Sequence, residues 1–302
     1  MPFHLPPLSR RRFITRSLAA VAGLTLERDA WAAAKPDPNR WALLADTHVA
    51  EDRTKIARET NMSDNLGAVG KELLGLAYRP AGVLVNGDCA FNTGEPGDYR
   101  TFTELLEPLR AAQMPIHVTL GNHDHREHIR EAVSEARGAK RPVADKHVGL
   151  LRGEHANWFL LDSLELVNKT PGLLGDAQLA WLAKELDAHS DKPAIIFAHH
   201  NLNLQGGETK SALKDTEKLL EVLAPRKHVK AYVFGHTHTW LTQEHASGIH
   251  LVNLPPVGYV FDKKRPNGWV EATLHPDRIK LQLNALNREH PEHGQVKELK
   301  WR

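Results

Sequence analysis

Five short blocks of nitrogen- and oxygen-bearing residues recur along a 302-residue chain: Asp46-Thr47-His48, Gly87-Asp88, Gly121-Asn122-His123-Asp124, His199-His200 and Gly235-His236-Thr237-His238. Carboxylates, imidazoles and a side-chain amide are ligand types for first-row metal ions, and imidazole also exchanges protons near neutrality. The chain has 19 His and a single Cys, Cys89. Thiolate zinc sites and intrachain disulfides are therefore excluded, so any metal must be held by N and O atoms. Each block alone also has an ordinary reading. An Asp after a strand caps a helix, Gly-Asp makes a turn, two histidines one residue apart sit in a solvated turn, and an unpaired Cys fills a core.

The blocks gain meaning from where they stand. Apolar, strand-like runs cover residues 41–45, 82–85, 116–120, 158–161, 194–198, 230–234 and 249–254. Five of these runs lead into the five blocks: 41–45 into Asp46, 82–85 into Asn86-Gly87-Asp88, 116–120 into Gly121, 194–198 into His199, and 230–234 into Gly235. His236 and His238 would share one face of a continuing strand or converge in a turn, and either geometry suits a metal. Helical patterns lie between many of the runs: Leu179, Leu182 and Leu186 follow Asp176 as a candidate cap, and Leu105, Leu106 and Leu109 are similarly spaced. Alternating β and α units predict one α/β domain over residues 40–302 with largely parallel strands, closed by a hairpin between Trp269 and Leu286. In an open α/β sheet, ligands bind beyond the carboxyl ends of the strands. Five such ends carrying donor atoms therefore define one crevice.

Composition bounds the rest. With 41% hydrophobic and 25% charged residues the chain is ordinary globular material. Residues 1–34 hold basic Ser9-Arg10-Arg11-Arg12, a short apolar run from Ser17 to Leu26, and small residues at Ala30-Trp31-Ala32-Ala33-Ala34. That order resembles a bacterial twin-arginine signal, so export by the twin-arginine machinery to the periplasm or beyond is expected, with residues 35–39 as a linker. The apolar run is too short to anchor the chain across a bilayer. The formal charge is +2 overall, and the leader's five Arg against two acidic residues leave −1 for the remainder. No basic stripe survives past the leader, which argues against nucleic acid as a main partner.

The five blocks in this order resemble the calcineurin-like metallophosphoesterases, whose pattern runs D-x-H, G-D, G-N-H-D, H and G-H-x-H, and the match extends over roughly residues 40–275. The resemblance implies a four-layer αββα sandwich of two mixed β-sheets and a dinuclear metal centre. It assigns Asp46, His48 and His238 to one metal, Asn122, His199 and His236 to the other, and Asp88 to both. It implies a bridging hydroxide as nucleophile in an in-line displacement on a small-molecule phosphodiester or phosphomonoester. His123 would contact the phosphate and protonate the leaving group. His200 is the fallback for His199, and His200 and Arg126 are candidate substrate contacts. The ligand set suits Mn, Fe, Co or Zn. The segment Asp176–Leu182 is similar to a helix start of the branch holding class III cyclic-nucleotide and glycerophosphodiester phosphodiesterases.

One position departs from the family. Three residues after Asp88, many family phosphatases carry an Asp that partners the catalytic His, and purple acid phosphatases carry a metal-binding Tyr. Here it is Phe91, which can do neither, so Asn92 or Asp98 is the candidate substitute. Phe91 also disfavours the alternative of a phosphoprotein phosphatase. A second alternative, a catalytically silent binding module, is disfavoured because every expected ligand is present.

Overall fold

The computed structural model describes residues 3–5, 35–133 and 141–302; apart from residues 3–5, the leader read over residues 1–34 lies outside them. Strands β1 (Phe3–Leu5), β2 (Asp37–Ala45), β3 (Ile56–Ala57), β4 (Thr60–Asn61), β5 (Pro80–Asn86), β6 (Ile116–Thr119), β7 (Gly149–Arg152) and β8 (Asn157–Leu160) precede β9 (Ala194–Phe197) in the chain. After it come β10 (Val229–Phe234), β11 (Leu241–Glu244), β12 (His250–Asn253), β13 (Gly268–Leu274), β14 (Arg278–Ala285) and β15 (Val296–Lys300). The helices are α1 (Met62–Leu74), α2 (Pro96–Ala111), α3 (Arg126–Ala132), α4 (Asp176–Ala188) and α5 (Thr216–Leu223).

The strands form a seven-stranded sheet ordered β1-β6-β5-β2-β13-β14-β15, a six-stranded sheet ordered β11-β12-β10-β9-β8-β7, and a small β3-β4 hairpin. Both large sheets are mixed. β2, β5 and β6 run parallel, as do β8, β9, β10 and β12, with antiparallel partners at the margins.

Strand alternation builds the layers. In β2, Ala42 and Leu44 face α1 and α2, packing with Leu66, Val69, Phe102 and Leu106, whereas Trp41, Leu43 and Ala45 face the other sheet. There they join Trp158, Leu160, Ile195, Phe197 and Val233, with the Trp41 and Trp158 rings 6.0 Å apart. The opposite residues of the second sheet, Phe159, Ile196 and Tyr232, pack on Leu179, Leu182 and Leu186 of α4 and Leu219 of α5. The result is helices, sheet, sheet, helices. The central strands bury both faces, which is why they read as continuous apolar runs.

Three details differ from the sequence reading, the first being that β2 begins at Asp37, inside the residues 35–39 expected as a linker. Asp176 is the first residue of α4, not its cap; Gly175, at φ 83, holds the cap position without a side-chain bond. The β13-β14 hairpin is not terminal, because β15 pairs onto β14 with Ile279 opposite Leu299. Its solvent-facing alternation, Val-Lys-Glu-Leu-Lys, is too polar to stand out as a core strand.

Candidate metal centre

Beyond their last paired residues, β2 and β5 stay laced together: the amide of Asp46 donates to the Gly87 carbonyl at 3.2 Å and that of His48 to the Asp88 carbonyl at 2.9 Å. The chain then turns sharply. Asp46, His48, Asp88, His236 and His238 all take positive φ, from 47° to 66°. Such backbone costs a non-glycine residue about 1 kcal/mol or more and concentrates at functional sites. Five of the seven expected ligands therefore stand on left-handed backbone. Two glycines clear the space. A Cβ on Gly121 would fall on the Asp88 carboxylate and the His199 ring, and one on Gly235 would fall on the Asp46 carboxylate.

The donor atoms converge in three overlapping groups: Asp46, His48 and His238; Asp88, His199 and His236; and His48, Asp88 and His123. Their tautomers are set from behind by backbone carbonyls. His238 Nδ1 meets the Tyr259 carbonyl at 2.6 Å, and His199 Nδ1 meets that of Asn86 at 2.8 Å. A ring donating Nδ1–H outward presents a bare Nε2 inward, the arrangement usual behind a metal-binding imidazole. His48 Nε2 and His238 Nε2 lie 3.1 Å apart, and His238 Nε2 is 3.4 Å from Asp46 Oδ1. Asp88 Oδ2 stands between the groups, 3.4 Å from His199 Nε2 and 3.8 Å from His48 Nε2.

Asp46, His48, Asp88, Asn122, His199 and His238 are all buried. Among the described residues, buried Asn122 Oδ1 and His199 Nε2 have no hydrogen-bond partner, although buried polar atoms are almost always satisfied. Converging bare nitrogens, carboxylate oxygens and an orphaned amide oxygen fit a cation and little else. The local fields agree. Burial alone would raise the Asp46 and Asp88 carboxyls, but the facing imidazoles of His238 and His199 outweigh it and hold both low. Burial pushes His48 down to about 3 and His236 to about 4, keeping those rings neutral. His199 also loses hydration, yet Asp88 and Asp46 push it up to about 9. A cation there would displace that proton.

His123 lies at the edge of the centre. Its ring stands edge-on to His48, 5.3 Å between centroids, and its amide donates to Asp88 Oδ1 at 2.8 Å. Its Nδ1 meets the main-chain carbonyl of Asn92 at 2.6 Å, so Asn92 supplies the ring's partner through its backbone. Asp98 does not: its carboxylate accepts from the amides of Glu51 and Glu95. Phe91 lies beneath the Lys55 ammonium, 5.3 Å from the ring centre.

The two candidate substrate contacts fare differently from expectation. Arg126 is turned away, with Nε and one NH2 group bonded to Asp162 at 2.8 and 2.9 Å and a further bond to the Leu164 carbonyl, so its fork is occupied within the fold. His200 is fully buried behind His236, 4.7 Å between ring centroids, and its Nδ1 contacts Ser163 Oγ at 2.7 Å. So placed, the His200 ring lies against that of His236 and presents no exposed surface.

Three contributors escaped the sequence. Asp124 clamps the loops after β5 and β6, accepting from the amides of Gly121, Cys89 and Ala90 and from the Tyr99 hydroxyl. Its position inside Gly-Asn-His-Asp was the available signal. Tyr259 stacks on His48 at 4.8 Å and Phe261 on His238 at 4.3 Å, walling the centre from a loop with no motif of its own. Buried Cys89 has its thiol pushed up by burial and by the neighbouring Asp124.

Residues 40–240 match the family model of the calcineurin-like phosphoesterases. The chain belongs to that family. This phosphoesterase is 28% identical over 250 residues to the 3',5'-cyclic adenosine monophosphate phosphodiesterase CpdA of Haemophilus influenzae, covering 78% of this chain and 85% of the relative. It is 27% identical over 239 residues to the glycerophosphodiester phosphodiesterase GpdQ of Enterobacter lignolyticus, covering 74% and 81%. Among solved structures it resembles in fold a dimetal phosphatase from Danio rerio, with TM-score 0.66, 16% identity, and coverage of 89% of this chain and 100% of the other. The yellow lupin purple acid phosphatase PPD1 superposes with TM-score 0.62 at 14% identity, covering 87% and 53%. The fold and the relatives make this phosphoesterase a metal-dependent phosphoric ester hydrolase.

Proposed function

We propose that this protein is an exported phosphodiesterase for small-molecule phosphodiesters, working with two metal ions. The observation that carries the reading is Asp88 Oδ2, set between the His199 and His48 nitrogens where one carboxylate can serve both donor groups. In this reading Asp46, His48 and His238 would hold one ion and Asn122, His199 and His236 the other, with Asp88 shared between them. Two ions so held supply charge neutralisation at the phosphoryl oxygens and a water acidic enough to attack at neutral pH. The remaining work belongs to the chain. Left-handed turns and backbone carbonyls fix the donors before substrate arrives, so positioning costs little at the moment of reaction. His123, anchored through Nδ1 on Asn92, keeps Nε2 for the departing oxygen. The diester preference rests on the phosphodiesterase names of the two relatives. Export rests on the order of basic, apolar and small residues in the leader.

The test is metal analysis of the purified chain together with turnover of a chromogenic phosphodiester and the matching monoester, after loading with Mn, Fe, Co or Zn. Two ions per chain and faster diester hydrolysis are expected. One ion per chain would overturn the dinuclear assignment, faster monoester hydrolysis would overturn the diester preference, and two ions with no turnover would point to a silent module.

A further inference from the structure

One ring away from the metal centre, the fold holds a cavity of about 460 Å³ that the chemistry above does not use. It lies between the β3-β4 hairpin and the loop after Tyr259, and its lining includes Arg58, Phe261, Lys263, Arg265 and Asn267. Phe261 stacks on His238 at 4.3 Å and carries the Arg58 guanidinium 4.7 Å from its ring centre. Arg58 also lies 5.8 Å from the ring of Tyr259, which stacks on His48. Phe261 is 55% exposed, an unusual state for a phenyl group, and it forms the wall shared by the cavity and the centre.

The hairpin that presents Arg58 is strained. Ala57 pairs with Thr60, so Arg58 and Glu59 are its two turn residues, at φ 47 and 65. Such turns favour Asn-Gly, and a non-glycine pair on left-handed backbone there costs stability. Strain of this kind collects where a side chain must be aimed. Glu59 meets Lys263 at 2.5 Å across the cavity mouth, tying hairpin to loop. The loop's other carboxylate, Asp262, is turned onto the amide of Lys264 at 3.0 Å. Among the described residues neither Arg58 nor Arg265 has a carboxylate partner. The cavity therefore presents two guanidinium groups without a carboxylate partner, Arg58 on the aromatic wall it shares with the centre and Arg265 in its lining.

We propose that this cavity is a second anion subsite, receiving a carboxylate or phosphate carried on the substrate's own alcohol portion, distal to the scissile ester. The proposal rests on the phosphodiesterase reading above and narrows it to diesters that bear a further negative group. A guanidinium fork recognises both oxyanions through paired N–H donors, and an aromatic shelf holds the fork in place at small entropic cost.

Two nitrophenyl alkyl phosphodiesters of equal tail length, one ending in a hydroxyl and one in a carboxylate, test this on the metal-loaded full chain. The quantity read is the ratio of their kcat/KM values, which cancels any general loss of folding or of metal. The native protein should favour the carboxylate tail by about tenfold, and Arg265→Gln or Arg58→Gln should each reduce that ratio by about three- to fivefold, a modest effect because both groups are exposed. A ratio near one in the native protein, or one unchanged in both variants, overturns the subsite while hydroxyl-tailed turnover still stands for the phosphodiesterase reading. Absence of turnover on both diesters overturns both.

Discussion

His123 Nδ1 and the carbonyl of Asn92 lie 2.6 Å apart, so a neutral backbone dipole partners the ring that in many family phosphatases is partnered by a carboxylate. The carbonyl fixes the ring's tautomer and orientation without adding a charge. If His123 protonates the leaving oxygen, His123→Ala should slow an alkyl phosphodiester by about 10²–10⁴-fold and a nitrophenyl diester far less, with metal content unchanged. Equal slowing of both, measured on the chemical step, would assign the residue to phosphate binding alone.

Asp88 is expected to couple the two donor groups. Asp88→Ala should lower metal content below two ions per chain and abolish turnover, whereas His48→Ala should empty one site before the other in a chelator titration. Full activity and two ions in Asp88→Ala would remove the carboxylate from its bridging role.

Arg126 has a structural part to lose. Asp162 is fully buried, and among the described residues its carboxylate accepts, besides Arg126, from the main-chain amides of His147 and Leu164, while its main-chain carbonyl takes the Lys146 ammonium. Arg126→Ala should strand that carboxylate and cost about 3 kcal/mol in urea unfolding, with little change in KM for any variant that still folds. A raised KM at unchanged stability would return Arg126 to the substrate.

His147 makes acid stability measurable. Burial, with Arg141 and Arg126 nearby, pushes its imidazole down to about 2 from the ordinary 6.5. Above pH 6.5 the ring is neutral in both folded and unfolded chains and contributes nothing to the slope. Below 6.5 the unfolded chain binds the proton first, so stability falls with acid by up to about 1.4 kcal/mol per pH unit from this group. His147→Asn should flatten the dependence between pH 6 and 4 by about one proton. Parallel curves for the two proteins would show that His147 takes up its proton in the folded state.

The expected leader, which lies outside the described residues except for 3–5, can be tested in cells. Replacing Arg10 and Arg11 by Lys keeps the charge and removes the paired arginines, so export should stop. Normal amounts of protein outside the cytoplasm would show that charge alone suffices.

The ligands were legible because each sits in a short block next to an apolar run, and a strand end needs no long-range information to be seen. Their supports were not. The carbonyls of Asn86, Asn92 and Tyr259 orient three imidazoles, and a carbonyl leaves no mark on residue type. The ion pair of Arg126 was invisible for a related reason: its partner Asp162 is 36 residues distant, and a lone Arg at a helix start looks the same free or paired. The four layers followed from family resemblance, whereas alternation alone predicted a largely parallel sheet. The antiparallel margins come from short or polar strands such as β11 and β15, whose apolar signal is weak.

Strand β2 pairs on one side with β5 and on the other with β13, where Leu43 faces Val270, and His48 and His238, whose Nε2 atoms lie 3.1 Å apart, are separated by 190 positions in sequence. A ribosome delivers these partners far apart in time. The donors on β2 and β5 emerge early but cannot be locked until the last third of the chain exists, and closing such large loops makes folding slow. Early donors without their late partners form only half a cage. Tight metal capture should therefore mark completion of the fold, and a chain released before β13 should leave the ribosome without a centre.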